Sequence, residues 1–91
     1  MTHILIEYKP SPMKLEILNV EDWPVVHKPV GMHPSSVTAS ETYYIEEGDA
    51  EITVDGEEPV RASRGDLLTI MPDKSCIWHV KSEMTMYKSD A

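Results

Sequence analysis

Beyond residue 40 the chain is punctuated too closely for helices. Glu47-Gly48-Asp49, Asp55-Gly56, Arg64-Gly65-Asp66 and Pro72-Asp73 are turn signals, and the β-prone segments between turns run four to six residues. Ala50-Glu51-Ile52-Thr53-Val54 alternates with the period of a half-buried strand, so Ala50, Ile52 and Val54 are expected to face a core. Asp55-Gly56, directly after it, signals a two-residue hairpin. Glu41-Thr42-Tyr43-Tyr44-Ile45-Glu46, Leu67-Leu68-Thr69-Ile70-Met71, Cys76-Ile77-Trp78-His79-Val80 and Met84-Thr85-Met86-Tyr87 supply further strands. An all-β sandwich or barrel is expected.

The earlier residues are less regular. Ile4-Leu5-Ile6-Glu7-Tyr8, preceded by His3, reads as a short strand closed by Lys9-Pro10. Proline cannot donate to a continuing ladder, which favours a sheet edge. Ser11 caps a turn or two of helix beginning at Pro12, whose missing N–H costs nothing at the first helical position. Trp23-Pro24-Val25-Val26 opens an extended region, and residues 28–34, with two prolines and a glycine, read as a loop or an interrupted strand. No repeat or linker divides the chain, so residues 1–91 are expected to form a single domain. Its expected core is Leu5, Ile45, Ile52, Val54, Leu67, Ile70, Trp78 and Val80.

Sixteen acidic against eight basic side chains give a net charge of −8, the wrong sign for neutralising phosphates, and no apolar run approaches a membrane-spanning length. Neither nucleic acid nor a membrane is an expected partner. Cys76 is the single cysteine and cannot form an internal disulfide, and residues 1–10 lack the basic, apolar and small-residue succession of a signal peptide. A cytoplasmic, reduced protein is expected. The carboxylates Glu46, Glu47, Asp49, Glu51, Asp55, Glu57 and Glu58 gather around one hairpin and read as a solvated rim that keeps an edge from pairing.

Glu41-Thr42-Tyr43-Tyr44-Ile45-Glu46-Glu47-Gly48 and Gly65-Asp66-Leu67-Leu68-Thr69-Ile70-Met71-Pro72 together resemble the two signature motifs of the cupin superfamily. Glu41, separated from Gly48 by six residues, matches the end of the first motif, and Gly65-Asp66 the start of the second. The run from Trp23 to Trp78 more closely resembles short single-domain cupins of the (S)-ureidoglycine aminohydrolase-like group. The resemblance implies a small double-stranded jelly-roll β-barrel with a short N-terminal helical turn, a small-molecule pocket inside it, and a homodimer. It also implies a metal position, at which an HxH histidine pair, the first-motif glutamate and a second-motif histidine hold Zn, Mn, Fe or Ni. In this chain the HxH pair falls among Pro34-Ser35-Ser36-Val37, Cys76 stands where the second-motif histidine is usual, and Met71 and Asp73 replace proline and glycine. Glu41 alone of the four ligands is retained, so a degenerate metal site, or none, is implied.

Alternation puts Glu41, Tyr43 and Ile45 on one strand face, which the resemblance directs into the barrel. A carboxylate there needs a metal, a cation or hydrogen-bond donors, because burial disfavours its charge. Glu41 is therefore either a metal ligand or general acid/base, or a hydrated carboxylate held by a tyrosine. Tyr43 is a core ring with a satisfied hydroxyl or a catalytic acid. Cys76 is a small buried hydrophobe or a nucleophile and soft metal ligand. Trp78 is a core anchor or a platform for a ligand. Met71, Ser36 and His33 complete the expected ligand-binding set, His33 because an irregular loop could carry it to Glu41. His3, His27, His33 and His79 lack metal-binding spacing.

Three functions fit these residues. The chain is a cupin that processes a small molecule through Glu41, Tyr43 and Cys76, a non-catalytic module that binds a small ligand, or a dimeric interaction module pairing through the strand at residues 4–8.

Overall fold

Two fourteen-residue strands carry the architecture. β4, Glu41–Val54, and β7, Ser75–Lys88, pair antiparallel from Tyr43 opposite Lys88 to Val54 opposite Cys76. β6, Leu67–Ile70, joins the first half of β4, and β1, Ile4–Glu7, pairs with β6 at the sheet edge. β5, Val60–Ser63, folds back on the second half of β4. β2, Val25–Lys28, and β3, Gly31–Ser36, pair with successive parts of β7. The computed structural model describes residues 4–36, 38–54, 56–72 and 75–89; His3, Val37, Asp55 and Asp73, named above, lie outside them. The sheet rolls into a small jelly-roll β-barrel around Tyr43, Ile45, Ile52, Val54, Leu68, Ile70, Trp78, Val80, Met84 and Met86.

The expected break at Glu47-Gly48-Asp49 is a bulge inside β4. The β4–β7 register slips between Ile45 and Glu47, again before Asp49, and again before Ala50. Gly48 has φ +108°, and a Cβ on it would lie 2.7 Å from the Glu83 carbonyl oxygen and 2.7 Å from the Met84 Cα. Glycine signals a turn and a close-approach bulge alike, and here the backbone of β7 occupies the space a side chain would need. The two strands expected after residue 75 are likewise one. Glu46, Glu47, Asp49 and Glu51 therefore sit on a central strand rather than an edge. Two of them are matched across strands, Asp49 by Arg61 at 3.0 Å and Glu51 by Lys81.

Leu5 is corrected out of the core. Ile4 pairs with Ile70 and Ile6 with Leu68, so these side chains share the inner face and Leu5, opposite Thr69, is 56% exposed. In a short run of three apolar residues nothing local sets the phase; the partner strand does. Leu67 is buried outside the main cluster. Residues 28–34 resolve into two strands with a break between Lys28 and Gly31. The β4–β5 reversal is longer than two residues: pairing ends at Ile52–Val60, where Pro59 has no N–H to extend the ladder.

α1, Pro12–Leu18, begins as its residues direct, with Ser11 accepting from the Lys14 N–H at 3.3 Å, and ends at Asn19 in the left-handed region. A 3₁₀ turn, Val20–Asp22, follows. The Asp66 carboxylate is buried and accepts from the Ser63 N–H at 2.9 Å and the Lys9 N–H at 3.4 Å, tying the segment after β1 to the β5–β6 turn.

Gly48→Ala should lower stability by about 3 kcal/mol or more, because positive φ and backbone overlap combine. Gly56→Ala, whose added Cβ meets nothing within 4 Å, should cost about 1 kcal/mol. Urea unfolding followed by tryptophan fluorescence separates them.

Candidate functional site

In the β4–β7 ladder Tyr43 pairs with Lys88 and Trp78 with Ile52, which puts the two rings far apart along the strands. Closure of the barrel brings them together. The centroids of Tyr43 and Trp78 are 5.2 Å apart at 74°, an edge-to-face contact between two buried rings. Above them the Tyr43 hydroxyl donates to Glu41 Oε1 at 2.8 Å, and Lys88 Nζ lies 3.8 Å from Glu41 Oε2. Cys76 is buried at the β7 end of the same interior, within the field of the Glu41 carboxylate. The sequence-expected set of Glu41, Tyr43, Cys76 and Trp78 therefore converges.

The electrostatics set what these groups can do. Burial, and then the hydrogen bond to Glu41, push the Tyr43 phenol well above its usual range, so it remains a donor. Burial first, and the Glu41 carboxylate second, push the Cys76 thiol up. The Trp78 hydrogen bond and the Lys28 charge pull the other way without prevailing, so the thiol stays protonated at neutral pH and is a poor nucleophile.

Ser36, His33 and Met71 do not join this group on the same terms. Ser36 is exposed; the residue opposite Cys76 in the register, and so on its face, is Ser35. The β3–β7 pairing sets that phase, which a proline-interrupted sequence does not reveal. His33 lies opposite Trp78, but its Nε2–H donates to the Pro29 carbonyl at 2.7 Å. Met71 is half-buried, one residue past Ile70, which faces Glu41 across the β4–β6 ladder.

Two lysines were missed from sequence. Lys28 places its ammonium 5.1 Å from the Trp78 ring centroid. Its signal was the phase it shares with half-buried Val26, against exposed Val25 and His27. Lys88, at the end of β7, reaches Glu41 through pairing that no motif encodes.

Glu41 and Lys88 line an open cavity of about 430 Å³ at the barrel mouth, with Pro24 and Ser40 among its walls. Tyr43 and Trp78 are buried in the interior and do not line this cavity, whereas Glu41 and Lys88 do. The described residues around Glu41 do not form a divalent-metal site. Among the described residues no three His, Cys, Asp or Glu side chains converge, and Glu41 already takes the Tyr43 hydroxyl and faces an ammonium group.

A family model described as the EutQ-like cupin domain matches residues 15–87. Among solved structures, a DUF861 family protein from Thermotoga maritima is similar at 34% identity and a TM-score of 0.90, over 94% of this chain and 97% of that one. A protein of unknown function (DUF1255) from Acidithiobacillus ferrooxidans, at 20% identity, shares the fold with a TM-score of 0.67 over 70% of this chain and 61% of that one. VPA0057 from Vibrio parahaemolyticus, also of unknown function, does so at 18% identity and 0.65, over 70% and 69%. No curated protein matches. Among the described residues no helix is long and apolar enough to cross a membrane.

Folding raises the pKa of both Cys76 and Tyr43, so the native state binds their protons more tightly than the unfolded chain. The stability they contribute is present at neutral pH and is lost as pH rises from about 8.5. The urea midpoint should accordingly fall between pH 7.5 and 10, and Cys76→Ala should remove the earlier part of that fall. Trp78→Ala should cost roughly 3–5 kcal/mol at pH 7.5, the range for deleting a buried aromatic ring.

Proposed function

This chain belongs to the family of EutQ-like cupin domains, and we propose that it binds a small polar molecule at its barrel mouth, between Glu41 and Lys88. The observation that carries this is a partly exposed ion pair set in a cavity of about 430 Å³, with a carboxylate already oriented by a buried hydroxyl. A ligand with an amine and a carboxylate can exchange the 3.8 Å contact of Lys88 and Glu41 for two charge-assisted hydrogen bonds. Tyr43 keeps Glu41 Oε1 occupied, leaving Oε2 to the ligand. Resemblance to the (S)-ureidoglycine aminohydrolase-like cupins makes small amino-acid derivatives the first class to test.

If the site turns over its ligand, Glu41 is the group placed to take a proton, since Tyr43 and Cys76 both hold theirs. No step in this reading needs a metal. As parts of the same proposal, the protein acts in the cytoplasm as a single-domain homodimer, with edge strand β1 and its exposed Leu5 as the pairing surface.

Thermal unfolding against a panel of small amino and ureido acids tests the proposal, with metal content measured by elemental mass spectrometry on protein purified without chelator. A ligand at about 100 times its Kd should add about 2.7 kcal/mol, a rise of several degrees in Tm, and Glu41→Gln and Lys88→Ala should each abolish the shift. Near-stoichiometric Zn, Mn, Fe or Ni that disappears in Glu41→Ala, or a ligand shift that survives both substitutions, would overturn it.

A further inference from the structure

We propose that the groove between α1 and the outer face of β4 and β7 is a second binding site, independent of the barrel mouth, for a small aliphatic polyamine. α1 has no buried residue, and its Met13 and Ile17 are 70% and 73% exposed, so the helix stands off the sheet instead of packing on it. The space between them is about 840 Å³, within the range of small-molecule sites.

The floor of this groove is a pair of rings. Tyr44 and Tyr87 are directly opposite in the β4–β7 register and stack with centroids 6.4 Å apart at 23°. The π-face of an aromatic ring attracts a cation. Glu16 from α1, Glu21 and Asp22 from the 3₁₀ turn and Glu46 from β4 stand around the floor, and no lysine or arginine is among the lining residues. The Tyr87 hydroxyl donates to Glu46, and the Glu46 and Glu21 carboxylates both push the phenol above its usual range. Leu15 and Val20 add apolar surface between the charges.

Carboxylates spread over three elements, with the apolar side chains of Leu15 and Val20 in the same lining, suit a chain of ammonium groups separated by methylenes. They match a single metal ion poorly, because no three of them converge. The net charge of −8 draws any cation toward the protein, but the stacked rings and the lysine-free acidic lining belong to this groove and not to the barrel mouth.

Isothermal titration calorimetry with spermidine at 150 mM salt tests the site, with MgCl₂ and a lysine-rich peptide as competitors. One spermidine per chain should bind, Tyr44→Leu and Glu21→Gln should each weaken it about 3- to 10-fold, and Glu41→Gln and Glu58→Gln should leave it unchanged. Circular dichroism confirms that each variant is folded. Absence of binding at millimolar spermidine, equal affinity in every variant, displacement by equimolar Mg²⁺, or preference for the peptide at the same residues would each overturn the assignment.

Discussion

The fold depends on one long antiparallel pairing, β4 against β7. The register sets Ile45 opposite Met86, Ala50 opposite Val80, Ile52 opposite Trp78 and Val54 opposite Cys76, so both strands deliver their apolar side chains to one interior. Every other strand but β1 is built directly on one of these two, and β1 joins through β6. Fourteen-residue strands would stay too straight to close so small a barrel. The bulge at Gly48 bends them where the β7 backbone at Glu83 and Met84 leaves no room for a Cβ, which is why the glycine is required there.

Closure has an electrostatic consequence. It carries Glu41 over a floor of aromatic rings, where an isolated carboxylate would lose hydration without recompense. Tyr43 and Lys88 supply a donor and a cation, and Lys28 adds a second cation over Trp78. At the mouth the Glu41 carboxylate thus has a hydroxyl donor and an ammonium group beside it. The same closure buries Cys76 away from water and beside that carboxylate, which turns a position suggestive of reactivity into a protonated wall.

The outer face follows a different logic. β4 and β7 present Tyr44 and Tyr87 outward as directly opposed residues, and the Ser11 and Pro12 start signals launch a helix that ends at Asn19 before it can pack on them. A surplus of carboxylates gathers in the gap, while those farther along β4 find Arg61 and Lys81. One strand pair therefore shapes both a mouth inside the barrel and a groove outside it.

Much of this was legible in the residues. Alternation at Ala50, Ile52 and Val54, the helix start at Ser11 and Pro12, and the shared face of Glu41, Tyr43 and Ile45 follow from local periodicity and capping, which need no distant partner, while the inward direction of that face came from the resemblance to cupins. Leu5 and the turn expected at Gly48 went astray because strand phase is set by the opposite strand, and because glycine serves a bulge as readily as a turn. Lys28 and Lys88 stayed hidden because long flexible side chains carry no periodic signal for the ring or carboxylate they will reach. The sequence by itself determined the all-β class, the resemblance to cupins and the residue types near the mouth, since these rest on short-range patterns. Tertiary structure alone decided that Tyr43 meets Trp78, that Lys88 lies beside Glu41, and that a groove opens under α1, because each depends on how far the rolled sheet brings residues together that lie tens of positions apart.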